Sequence, residues 1–110
     1  MELKDIPYEI IDWNKIETAE VKGETGKAFW KTKNFCGVRL RIIEKMPGFK
    51  ADHFCNKGHI IYILEGEMVI EFENGESIPV SKGESVFLSD DCGFGHSTYS
   101  EKGVKYFIID

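Results

Sequence analysis

Apolar residues recur at every second position along much of this chain, in short runs divided by glycines. In the run 38–45, Val38, Leu40 and Ile42 share one face while Arg39 and Arg41 take the other, the two-residue period of a half-buried strand. Comparable runs cover 27–35, 53–65 (interrupted by Asn56-Lys57-Gly58), 68–72, 77–80, 85–88, 96–100 and 104–109. The breaks between them are Met46-Pro47-Gly48, a turn at Glu65-Gly66-Glu67, Lys82-Gly83, a polar loop over 89–95, and Lys102-Gly103. Asn74-Gly75 reads as a type I′ hairpin, whose two central positions need positive φ. About nine short strands and no helical period predict an all-β domain, a sandwich or barrel. Residues 1–16, with Pro7 and the apolar Ile6, Tyr8, Ile10, Ile11 and Trp13, read as an extended lead-in packed on the outside, with Trp13 as its anchor.

Length and charge narrow the picture. A chain of 110 residues suits a single domain, 1–110, with one core. Its net charge of −5, and basic residues interleaved with acids and apolar groups, leave no stripe to neutralise phosphates, so no nucleic acid or anionic membrane is expected as partner. The charged opening Met1-Glu2-Leu3-Lys4-Asp5 leads into no apolar segment, and no long apolar span follows. Three cysteines without a CxxC pair do not resemble a disulfide framework, which points to a reducing cytoplasm.

The candidate chemistry sits on one strand parity. His53, Cys55 and His59 are all odd-numbered in one extended region and should share a face with Ile61 and Ile63, which should be buried, while Ile60 and Tyr62 face away. His96 opens a later strand that can return beside the first as a fourth ligand. Imidazoles with one thiolate suit a divalent transition metal, zinc, iron(II), copper or nickel, and are wrong for calcium or magnesium. The alternative is that these histidines are hydrogen-bonded core or surface groups and Cys55 a small buried hydrophobe. Cys36 and Cys92 are read as such hydrophobes, although Cys92 lies four residues before His96 and could approach the mouth of the site. Glu44 shares the parity of Ile42 and is a candidate catalytic acid or base if that face is internal; otherwise it is a strand-end residue in solvent. Phe29 and Trp30 read as packing.

At these residues the sequence resembles the cupin superfamily, whose first motif is G-x5-H-x-H-x3,4-E-x6-G. Here His53-x-Cys55-x3-His59-x6-Gly66 keeps the spacing, with Cys55 where the second His normally stands and His59 where the Glu does. The second motif, G-x5-P-x-G-x2-H-x3-N, is met more loosely: Gly83 and His96 are present two residues further apart, Ser89 replaces the Pro and Ser100 the Asn. Ala51-Asp52-His53-Phe54-Cys55-x2-Gly58-His59 with Leu64-Glu65-Gly66-Glu67, and upstream Asp12-Trp13, Gly23-Glu24-x-Gly26 and Trp30, look like the small single-domain cupins of the DHCW-motif group. The resemblance implies a small cupin-type β-barrel (jelly roll, double-stranded β-helix) with a lumenal metal held by His53, Cys55, His59 and His96, and a homodimer, for which the apolar strands near the N terminus offer an edge. It implies no single reaction, since cupins include oxygenases, isomerases and lyases as well as binding proteins. Two readings follow: a metal-dependent enzyme acting on a small oxygenated substrate, or a non-catalytic module that binds or senses a small sugar-like molecule. A redox sensor built on Cys55 is a third.

Overall fold

A computed structural model describes residues 3–90 and 94–110. Its strands are β1 (Ala19–Lys22), β2 (Lys27–Phe35), β3 (Val38–Lys45), β4 (Phe49–Lys50), β5 (His59–Phe72), β6 (Ser77–Ser81), β7 (Ser85–Leu88), β8 (His96–Ser100) and β9 (Val104–Ile109). All pairings are antiparallel. One curved sheet runs β1-β2-β3-β9-β5-β7 and the other β6-β5-β8-β4, with β5 common to both. Ile43, Ile61, Ile63, Met68, Ile70, Val80, Val104, Tyr106 and Ile108 fill the space between the sheets.

The fourteen-residue β5 corrects one expectation: Glu65-Gly66-Glu67 is a bend within a continuous strand and not a turn between two. The pairing with β9 slips between Ile63 and Glu65, and the buried parity changes with it, from Ile61 and Ile63 before the slip to Met68 and Ile70 after it. A bulge of this kind lets one strand serve two sheets. Gly66 makes the bend sterically feasible, since its φ is +78° and a Cβ there would lie 2.3 Å from the Gly103 carbonyl oxygen.

The hairpins also differ from expectation. Asn74 does not take positive φ, and only Gly75 does, at +92°. The Gly75 N–H donates to the Phe72 carbonyl and the Phe72 N–H to that of Glu76, so the loop is an ordinary turn at Glu73-Asn74 followed by a glycine bulge. The Asn74 side chain accepts the Glu76 N–H at 3.0 Å, which ties it forward. The two-residue loop with both centres at positive φ is Cys36-Gly37, between β2 and β3.

The parity of β3 is the reverse of what its apolar positions suggest. Arg41, Ile43 and Lys45 are buried inside, whereas Glu44 is exposed on the outer face and Ile42 is half-buried there. The outer apolar positions are real contacts, but with the lead-in: Ile42 lines a cavity with Trp13 and Asn14. Trp13 packs edge-on against Phe107 with centroids 6.2 Å apart, and its carbonyl accepts the Lys31 ammonium at 2.9 Å. Trp13 thus holds its segment against the outer face, in a 3-10 turn over Trp13–Lys15 capped by the Asp12 side chain, but Tyr8 and Ile10, expected to pack with it, are fully exposed.

Two strands, β1 and β4, are too short and polar to show an alternating pattern. They close the far side of the lumen, where Glu24 and Lys50 N–H groups donate to the Lys50 and Thr25 carbonyls at 2.8 and 3.0 Å. Replacing Gly66 with Ala should cost more than about 1 kcal/mol, the strain at positive φ adding to the clash with Gly103. A fall in thermal midpoint measured by calorimetry checks this, and an unchanged midpoint would mean that β5 does not bend there.

Candidate metal centre

Register places the inner-face side chains in tiers across β5, β9 and β3. Ile60 and Leu40 both pair with Ile109, so His59, Asp110 and Arg39 stand side by side; Arg39 and Asp110 exchange both backbone hydrogen bonds, at 2.7 and 3.0 Å. The next tier holds Ile61, Ile108 and Arg41, and the third Ile63, Tyr106, Ile43 and Trp30. The deepest holds Val104, Lys45 and Ala28. The lumen is therefore polar at one end and apolar in the middle, with a buried ammonium below.

Cys55 and His96 approach from the second sheet. Their backbones exchange N–H···O bonds at 2.7 and 2.9 Å, an antiparallel pair whose side chains fall on one face. The Cys55 Sγ lies 3.9 Å from His59 Nε2, and the His59 and His96 rings meet edge-on, centroids 5.1 Å apart. One donor atom from each of Cys55, His59 and His96 lies within 4.8 Å of the others, a span that one cation at about 2.0–2.3 Å from each donor can bridge.

Asp110 fixes the orientation of His59. Its side chain is fully buried, and His59 Nδ1 sits 2.8 Å from its Oδ2. With the proton on Nδ1 donating to the carboxylate, the Nε2 lone pair is left for the cluster, as a metal-bound imidazole requires. Arg39 grips the same carboxylate through Nε and a terminal nitrogen at 2.8 and 3.0 Å, and Arg41 reaches Oδ2 at 2.8 Å. Burial pushes the Asp110 carboxyl up, but the Arg39 hydrogen bond and the charges of Arg41, Arg39 and His59 outweigh it and hold the acid at about 2. Burial lowers His59 to about 4 against the opposing pull of Asp110. Burial and the nearby Lys45 lower His96 as well. Both imidazoles are thus neutral at pH 7, the form that ligates.

Of the residues singled out in the sequence, Cys55, His59 and His96 come together. His53 does not: its side chain is 73% exposed and its Nδ1 lies 2.6 Å from Asp52 Oδ1, at the rim of the cavity that the other three line. Glu44 faces away from the lumen, since the inner face of β3 carries the odd residues. Cys36 is exposed in its turn, and Cys92 lies outside the described residues. Sequence reasoning missed Asp110, Arg39, Arg41 and Lys45. The available signal for Asp110 was that it continues the parity of Tyr106 and Ile108.

Lys45 is the costliest of the missed residues. It is 6% exposed, bonds Thr98 Oγ1 and lies 5.0 and 5.2 Å from the Phe49 and Tyr106 ring centroids. Burial, helped by Arg41, lowers it to about 7 from an ordinary 10.5. Below pH 7 the ammonium is charged in both the folded and the unfolded chain, and folding bears the full desolvation cost. Between about 7 and 10.5 the unfolded chain holds a proton that the folded chain has released, so this residue's contribution to stability rises with pH. Lys45→Met should therefore raise the thermal midpoint at pH 6, by roughly 4–8 °C for each kcal/mol relieved. The gain should shrink towards pH 10 in a melting series, and a gain independent of pH would deny the burial cost.

No protein-family model matches the chain, and no curated protein does. Solved structures do. A predicted oxalate decarboxylase from Thermotoga maritima superposes with TM-score 0.74 at 18% identity, over 92% of this chain and 96% of that one. A sugar phosphate isomerase from a cupin superfamily of Silicibacter pomeroyi gives 0.70 at 13% identity, over 92% and 74%. Fe(II)-HppE with the alternative substrate (S)-1-HPP gives 0.76 at 13% identity, over 99% and 62%. Likenesses at such identities report fold, and the fold is that of the cupins.

Proposed function

We propose that this cupin-fold protein binds a divalent transition metal through Cys55, His59 and His96 and uses it on a small oxygenated molecule held in the lumen. The observation that carries the reading is the hydrogen bond between His59 and the buried Asp110, which turns Nε2 towards Cys55 and His96, while burial keeps that ring neutral. Donors of one thiolate and two imidazoles fit zinc, iron(II), nickel or copper. A bound ion would supply Lewis acidity towards a substrate oxygen. Asp110 and its two arginines hold the His59 ring against rotation, and Ile61, Ile43 and Ile108 keep bulk water from the deeper lumen.

The position of His53 bears on the choice between enzyme and binding module. With three protein donors an ion keeps a site open for substrate, whereas a fourth, His53, would close a tetrahedral sphere in the manner of structural zinc. His53 at the rim, paired with Asp52, favours the enzyme. The finer likeness to the DHCW-motif cupins and a reducing cytoplasmic setting, which would preserve the Cys55 thiol, belong to this reading.

Metal analysis of protein purified without added ions tests it. His59→Ala and His96→Ala should lose the ion, His53→Ala should retain it, and Asp110→Asn should weaken binding about 10–100-fold in competition with a chelator. Unchanged metal content in Cys55→Ser would remove the thiolate from the ligand set, and a wild-type protein that takes up no metal would end the proposal. The homodimer expected from the family likeness we assign to the outer face where Ile60, Tyr62 and Phe87 stand exposed. Phe87→Asp should then sediment as a monomer, and a wild type that is already monomeric removes the dimer.

A further inference from the structure

Of the three cations on the inner face of β3, Arg39 and Arg41 reach the Asp110 carboxylate and Lys45 does not. Among the described residues the Lys45 side chain bonds the Thr98 hydroxyl, and no carboxylate acts on it. An ammonium carries three N–H donors. Beyond Thr98, the groups beside this one are the rings of Phe49 and Tyr106, with centroids 5.0 and 5.2 Å from Nζ.

These neighbours show which way the amine points. Thr98, Phe49 and Tyr106 all line the cavity of about 310 Å³ that Lys45 itself lines, together with Cys55, His59 and His96. The reactive end of the side chain, and not only its stem, therefore borders that space. The titratable groups around it are Arg41, His96 and Tyr106. Arg41 is cationic and adds to burial in lowering Lys45 to about 7; burial lowers His96 and raises the Tyr106 phenol, so both are neutral at pH 7. An amine desolvated among apolar groups and next to another cation is the usual form of a nucleophilic lysine.

We infer that the Lys45 amine is a covalent binding site for small aliphatic aldehydes that enter the lumen. The nitrogen lone pair forms a bond to the carbonyl carbon as the C=O π pair moves to oxygen, and a proton passes from nitrogen to that oxygen, with the Thr98 hydroxyl placed to relay it. The nitrogen lone pair then closes the C=N bond and expels the oxygen, which leaves as water with the second amine proton. Amine and aldehyde give imine and water, and neither oxidant nor reductant is consumed. An imine holds a proton more weakly than an amine, so the product puts a neutral group where a buried ammonium is costly. Phe49, Tyr106 and, one tier up, Ile43 supply apolar wall for an alkyl chain. The site needs no metal and stands apart from the proposed centre.

Reductive trapping tests it on the protein as purified. Propanal with cyanoborohydride, which reduces imines and spares aldehydes, should fix a propyl group on Lys45 at pH 7, located by peptide mass spectrometry. The rate should exceed that at the half-exposed Lys50 and Lys57 at least about tenfold, because far more of a low-pKa amine is uncharged. Pyrene-1-carboxaldehyde, too wide for the lumen, should mark surface amines and spare Lys45. Lys45→Met should lose the one fast label and keep the slow ones. Without any reductant, propanal carrying carbon-13 at its aldehyde carbon should give a saturable imine resonance that is missing from Lys45→Met. Absence of that resonance, with a label that follows exposure and spares Lys45, would overturn the inference. Equal marking of Lys45 by the pyrene aldehyde would also do so, by showing that the chain must open to react. Loss of the label on chelation counts against it too, since the ion would then be what activates the carbonyl. A wild type that holds no metal yet labels at Lys45 keeps this inference and ends the metal proposal.

Discussion

One buried carboxylate organises the functional end of this protein. Asp110 fastens β3 and β5 to the end of β9 by receiving Arg39, Arg41 and His59 at once. A buried carboxylate is tolerated only when it is hydrogen-bonded and its charge is met; here both oxygens accept hydrogen bonds and two arginines meet the charge. The same bonds that satisfy Asp110 also aim His59. The arrangement that makes the fold possible at this end and the arrangement that prepares a ligand atom are thus one set of contacts.

Around that centre the barrel divides its labour. Its apolar middle, Ile43, Ile61, Ile63, Met68, Ile70, Tyr106 and Ile108, supplies the burial that stabilises the two sheets. The polar residues sit above and below it, and Lys45 in particular is retained in a place that opposes folding. A second apolar contact, the lead-in against the outer side of β3 and β9, adds burial without occupying lumen. A small domain that gives part of its interior to polar groups gains from such an outer layer.

How much of this could be read from the residues depended on where parity was unambiguous. Along β5, Ile61 and Ile63 were apolar and Tyr62 large enough to bear exposure, so the inward side and His59 with it were legible. Cys55 and His96 followed from shared parity and from the second motif. β3 misled because its alternating apolar residues face the lead-in, while arginine and lysine face a polar lumen; periodicity reports that a face is covered and does not say by what. Glu44 was misplaced for that reason. Parity with Tyr106 and Ile108 marked Asp110 as inward but not as important, because its importance lies in three long-range partners, and the bend at Gly66 was hidden because a glycine between two glutamates reads equally well as a turn.

The continuity of β5 through Gly66 sets how the lumen can be entered. A strand woven into both sheets ties them as a single hinge-less body, so the two halves cannot part like the shells of a bivalve to admit a guest. Passage falls to the stretch 51–58, which no strand ladder holds: the Ala51 N–H bonds the Thr98 carbonyl at one end, the Gly58 N–H bonds Asp90 at the other, and the isolated bridge at Cys55 ties its middle. Since that bridge also carries a candidate ligand, opening the door and loosening the ligand set would be the same movement.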